Sequence, residues 1–200
     1  MKVFLIIFFA LTATASEDSD VVHRLSEALE SAGGSTSSNG MEVTIKEGKN
    51  CGVEGTHETI VVDRLSMPDV LVLGANATFA GGITVNKERK SATLLSVDMI
   101  KTRWHFRVPC IKGSGSCNYM YPCKYLEQVK CPEEIVAKGW NCRCPIPVNS
   151  YSFGPTTLHL NNTNVPALFV NGDYDVTIKL YDGLDELMCY KFPMTVKKLE

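Results

Sequence analysis

Patterns that carry catalytic or metal chemistry are scarce in this 200-residue chain. Its four histidines, His23, His57, His105 and His159, stand apart from the cysteines, so no zinc-ligand spacing arises. There is no Gly-x-Ser-x-Gly elbow, and no glycine-rich loop leads into a lysine and Ser/Thr. Gly113-Ser114-Gly115 falls between Cys110 and Cys117 and reads as a flexible tip. Asp182, Asp185 and Glu186 sit between two strand-like runs, where turn chemistry explains them better than a glycosidase pair does. A formal net charge of −2 leaves no basic excess for nucleic acid. After residue 15, no apolar run approaches the ~20 residues that span a bilayer. Internal repeats are absent too. These absences point away from an enzyme, a metal site, a cofactor or a nucleic-acid partner.

What the chain does have is cysteine. Eight are present, six of them close together: Cys110, Cys117, Cys123, Cys131, Cys142 and Cys144, with Cys51 and Cys189 far on either side. An even count behind a secretion signal reads as a disulfide framework. The signal is Lys2 followed by VFLIIFFALTATA, ending on the small residues Ala13-Thr14-Ala15. Residues 1–15 are therefore assigned as signal peptide, with a secreted or lysosomal destination. Two sequons, at Asn76 and Asn161, agree with secretion.

Residues 16–40 form an acidic extension. Between 16 and 34, Glu17, Asp18, Asp20, Glu27 and Glu30 face only Arg24. Val21, Val22, Leu25, Ala28 and Leu29 have helical spacing, and a Gly/Ser-rich linker follows. From 41 to 200 the period becomes two. Met41, Val43 and Ile45 alternate with polar residues, as do Trp104, Phe106 and Val108, then Tyr174, Val176, Ile178 and Leu180. Met188, Tyr190, Phe192, Met194 and Val196 make a last file. Strict alternation marks strands with one face inward. Further strands are expected near 57–65, 70–85, 91–100 and 156–160. The expectation is an all-β antiparallel domain of about eight or nine strands, closed or cupped. A short helical insertion is expected over 122–129 and 132–137, with Pro132 at a helix start and Gly139 at its end. Cys142 and Cys144, with only Arg143 between them, are expected to reach different partners rather than bridge each other; spacing otherwise leaves the pairing open.

The segments VPCIKGSGSC, YPCKYLEQVKC, GWNCRCPIP and VNGDYDVTIKLYDGLDELMCYKF resemble the ganglioside GM2 activator family. Its members are lysosomal lipid-transfer cofactors that lift a ganglioside from membranes and present it to β-hexosaminidase. The resemblance covers about 41–197. It implies a β-cup with an apolar cavity, and four bridges: Cys51–Cys189, Cys110–Cys117, Cys123–Cys144 and Cys131–Cys142, the last three bracing one side of the mouth. It also implies a glycan at Asn76. The inward files would then supply a cavity wall of Phe106, Val108, Tyr174, Val176, Ile178, Tyr190 and Phe192. Two rim loops are expected to meet the membrane transiently: Pro166, Leu168 and Phe169 in one, Ile100 and Trp104 in the other. The second loop departs from the family by carrying Lys101 and Arg103, which suits anionic headgroups. The implied function is to bind and transfer a glycolipid or other acyl lipid, without catalysis, in partnership with a hydrolase such as β-hexosaminidase. The alternative is a secreted protein that offers bound lipid to a receptor.

Overall fold

The computed structural model describes residues 41–52, 59–88, 91–111, 113, 115–127, 131, 133–160 and 171–199. The expected signal peptide, acidic extension and N-terminal helix lie outside these residues.

Among the described residues, eleven strands form two antiparallel sheets. They are β1 (Met41–Ile45), β2 (Lys49–Asn50), β3 (Ile60–Ser66), β4 (Val70–Val72), β5 (Asn76–Val85), β6 (Leu94–Lys101), β7 (Phe106–Arg107), β8 (Asn118–Met120), β9 (Asn149–His159), β10 (Gly172–Asp182) and β11 (Asp185–Lys198). The larger sheet runs β4-β1-β11-β10-β6-β7, with β2 added to β11 and β8 to β6; the smaller runs β3-β5-β9. The count exceeds eight or nine because β2, β4, β7 and β8 are pieces of two or three residues. Buried side chains from both sheets form one cluster, as in a sandwich.

The alternating files behave as their period requires. Tyr174, Val176, Ile178 and Leu180 are all buried on β10, while the residues between them are not. On β11 the apolar set Met188, Tyr190, Phe192, Met194 and Val196 is buried likewise. Residues 70–85 do not make one strand. A turn at Leu73–Ala75 separates β4 from β5, and Gly74 adopts a φ of 89° there. The larger revision concerns Trp104, Phe106 and Val108. A 3₁₀ turn at Thr102–Trp104 and a left-handed His105 (φ 47°) reverse the chain, so β7 folds back on β6.

The cysteine-rich excursion holds two short helices, α1 (Pro122–Leu126) and α2 (Glu133–Val136). The bridges are Cys51–Cys189, Cys110–Cys117, Cys123–Cys144 and Cys131–Cys142, the same pairs that the resemblance implied. Trp140 anchors the excursion to the smaller sheet. It is buried, lies 5.2 Å from the Tyr151 ring, and donates from its indole N–H to the Arg143 carbonyl at 2.6 Å.

Candidate functional site: a cavity between the sheets

The two sheets part along one lateral edge. On the larger sheet, β1 gives way to the turn at 46–48 and then to β2, which pairs with β11. On the smaller sheet, β3 is the facing edge. Between them lies a cavity of about 590 Å³. Its apolar wall comes from Ile45, Val62, Leu65, Met67, Leu71, Phe79, Ile178, Tyr190 and Phe192. Its lip carries six exposed charged residues: Lys46, Glu47, Lys49, Asp63, Arg64 and Asp69. An apolar interior beneath a charged lip matches a molecule with an apolar chain and a polar end.

One end of the lip is pinned. The Asn50 side-chain amide donates to the Val62 carbonyl at 2.9 Å, and its oxygen accepts from the Val62 N–H at 3.0 Å. A single side chain thus satisfies both backbone groups of an edge residue and joins the sheets. Directly beyond it, Cys51 is bonded to Cys189 and its N–H donates to the Cys189 carbonyl at 3.0 Å. Gly48 closes over the Tyr190 ring; a Cβ at 48 would lie 2.7 Å from the ring and its hydroxyl, which explains why no larger residue fits. Burial raises the Tyr190 phenol above its ordinary value, the Glu47 charge adds to this, and the hydrogen bond with the Gly48 backbone partly offsets it. Tyr190 is therefore a neutral, hydrogen-bonded floor for the lip.

Of the residues expected on the cavity wall, Ile178, Tyr190 and Phe192 line it. Tyr174, Val176 and Val108 are buried in the core but are not among its lining residues. Phe106 is 46% exposed on the reversed β7, so it is moved from wall to surface. Among the expected rim residues, Ile100 is half-buried on β6 and Trp104 is 69% exposed. Neither borders this cavity, because β6 lies three strands from β1 across the sheet. Pro166, Leu168, Phe169 and the Asn161 sequon lie outside the described residues; Asn76 is exposed at the start of β5. Among the described residues, none from 110 to 148 lines the cavity, so the three clustered bridges stand apart from this lip. Cys51–Cys189 adjoins it through the neighbouring lining residues Asn50 and Tyr190. Sequence reasoning missed Val62, Leu65, Met67, Leu71 and Phe79; Ile45 was visible in its alternating file without being assigned to the wall.

Among the described residues, no group of three His, Cys, Asp or Glu side chains could hold a metal ion, and no helix is long and apolar enough to cross a membrane. The acids at the β10–β11 turn have structural work. Glu186 accepts from Lys179 at 2.7 Å and from the Tyr181 hydroxyl at 3.3 Å, which raises the Lys179 pKa. Asp182 accepts from the Ser91 hydroxyl at 2.9 Å.

The architecture, the bridges and the sequence define a class. The profile of the ML domain family matches residues 46–196, and the chain belongs to that family. Among curated proteins it is similar to the ganglioside GM2 activator of Mus musculus, with 23% identity over 155 residues, covering 74% of this chain and 80% of that one. Among solved structures it is similar to a Niemann-Pick type C2 protein from Japanese carpenter ant, at 14% identity and a TM-score of 0.31, covering 64% of this chain and 76% of that one.

Proposed function

We propose that this protein is a non-catalytic lipid carrier. It takes a glycolipid or other acyl lipid from a membrane and presents it to a hydrolase, with a glycosidase such as β-hexosaminidase as the partner. The secretory route or the lysosome is its place of action. The observation that carries this reading is the apolar cavity beneath a charged lip; membership of the ML domain family and similarity to a ganglioside activator support it.

The cavity sets the scale of the cargo. A methylene group takes roughly the ~30 Å³ of a water molecule. The volume of about 590 Å³ then holds one chain of ~16 carbons with little to spare, and not two. Burying such a chain at about 0.8 kcal/mol per methylene gains ~13 kcal/mol gross. Association costs of about 4–15 kcal/mol are of the same size. Binding is favourable only if the wall is already formed, which is the contribution of the Asn50 clamp and the Cys51–Cys189 bridge.

The test is direct. Lipids extracted from protein purified from its native secretion are identified by mass spectrometry, and the protein is added to a glycosidase acting on membrane-embedded substrate. Reproducible acyl lipid and a stimulated glycosidase are expected. An empty protein that binds no vesicle would overturn the carrier reading, and lipid without stimulation would remove the hydrolase.

A further inference from the structure

A surface that the cavity leaves unused lies at the reversal between β6 and β7. Trp104 and Phe106 are both exposed there, and the Arg103 guanidinium lies 5.3 Å from the centre of the Trp104 ring. Two large exposed aromatic side chains within one turn mark a contact surface. The ends of β1 and β11 stand at the same end of the larger sheet. Met41 is opposite Lys198, Gly172 is opposite Val196, and Tyr174 is opposite Lys101. Lys101, Arg103, Lys197 and Lys198 therefore share that end. None of the four forms an ion pair among the described residues, in contrast to Arg107, which Asp98 holds. The described acids beside them are Glu42, opposite Lys197, and Asp173, which accepts from the Thr195 hydroxyl at 2.6 Å.

The chain itself holds a segment that complements this surface in charge and in polarity. Residues 17–30 carry Glu17, Asp18, Asp20, Glu27 and Glu30 against Arg24 alone, and Val21, Val22, Leu25, Ala28 and Leu29 at helical spacing. Residues 31–40, which include three glycines and four serines, join them to Met41. The lengths agree. From β1 to β7 the sheet is four strand spacings wide, about 19 Å. A flexible linker of ten residues has a root-mean-square span of about 17 Å and an extended reach of about 35 Å. Fourteen residues wound as a helix extend about 21 Å, close to the width of the sheet. Tethering at this range gives an effective concentration of the order of 1 mM. A contact of only ~0.1 mM affinity would then be made in roughly nine molecules of ten.

We propose that residues 17–30 dock on this end of the larger sheet of their own molecule. Their apolar file covers Trp104 and Phe106, and their acids face Lys101, Arg103, Lys197 and Lys198. The acidic extension is then an internal occupant that competes with any anionic surface for the same cations. This holds whether or not the cavity carries a lipid.

Trp104 reports on this contact directly, because the other tryptophan, Trp140, is buried. The experiment is acrylamide quenching of tryptophan fluorescence in the full chain, with Trp104→Phe supplying the Trp140 background. At low salt, Trp104 should be quenched several-fold less in the wild type than in a variant carrying Glu17→Gln, Asp18→Asn, Asp20→Asn, Glu27→Gln and Glu30→Gln. Leu25→Ser with Leu29→Ser should remove the protection as well. Salt at about 0.5 M, where the Debye length is about 4 Å, should remove most of it. Trp104 quenched as fully in the wild type as in the neutralised variant overturns the docking, and so does protection that survives the neutralisation. Protection that grows with protein concentration assigns the surface to a second copy. Protection that arises only when phosphatidylglycerol vesicles are added assigns it to a membrane. Either of these results overturns the internal occupant.

Discussion

Replacing Asn50 with alanine removes two hydrogen bonds at once and leaves the N–H and carbonyl of Val62 facing a partly buried space. No other element supplies these bonds, since β3 pairs on its other side with β5. Each orphaned backbone group costs about 1–3 kcal/mol, less whatever water recovers at the lip. The expected loss is about 2–4 kcal/mol, and for a domain of this length each kcal/mol lowers the melting temperature by about 2–4 °C. Thermal unfolding followed by circular dichroism, with the bridges oxidised, should therefore show a fall of about 4–16 °C. Asn50→Asp refines the test: it retains the acceptor for the Val62 N–H but loses the donor to the carbonyl, so its loss should be intermediate. Loosening this end of the lip should also speed transfer of a fluorescent acyl lipid between vesicles. A melting temperature within a degree or two of wild type in Asn50→Ala would show that the side chain does not join the sheets, and the account of a pinned lip would fail.

Three other expectations follow from the same geometry. Ile178→Phe adds volume to the cavity wall and should weaken acyl-lipid binding several-fold with no loss of melting temperature; undiminished binding would move the cargo elsewhere. Removing Cys51–Cys189 by paired serine substitution opens a loop with a sequence separation of 138, worth about 5 kcal/mol of chain entropy, against about 2.4 kcal/mol for Cys110–Cys117 with its separation of 7. Urea unfolding of the two double mutants should rank them in that order, and the reverse ranking would contradict it. Tyr119, half-buried and near Tyr125, has its pKa pushed up to about 12 from 10.0, chiefly by that burial. The unfolded chain ionises this phenol first, so stability falls between pH 10 and about 12 and is insensitive to this group below that window. Several tyrosines are raised by burial, so tyrosinate absorbance should show a late-titrating component that Tyr119→Phe reduces by one phenol; an unchanged late component in that variant would refute it.

The strand files were legible because burial on one face imposes a period of two, which β10 follows from Tyr174 to Leu180 and β11 from Tyr190 to Val196. The family resemblance supplied the bridge pairing, which spacing could not. The reversal at Thr102–His105 was not legible. It contains neither glycine nor proline, so the alternation of Trp104, Phe106 and Val108 carried straight through it on paper. The cavity edge was hidden for another reason. Its position depends on sheet order, with β1 pairing with β11 and β4, and these partners are distant in sequence. In β3, a register shift between Val62 and Arg64 further disrupts the two-residue pattern that would have marked its inward residues. Local periodicity tells which face turns inward; it does not tell where two sheets fail to meet.

Strand β11 has a consequence for how the molecule is made. It is the common partner of β1, β2 and β10, and it contributes Tyr190 and Phe192 to the cavity. A growing chain that has already exposed β1 and β3 carries their apolar faces through most of its synthesis before β11 emerges to pair with β1. Long-range antiparallel closure of this kind is slow and leaves surface open to misassociation. During that interval Cys51 waits for a partner while six other thiols appear in turn. Any wrong pairing that Cys51 makes in that interval has to be undone before it can reach Cys189, and the cavity between the sheets is complete only once β11 is in place.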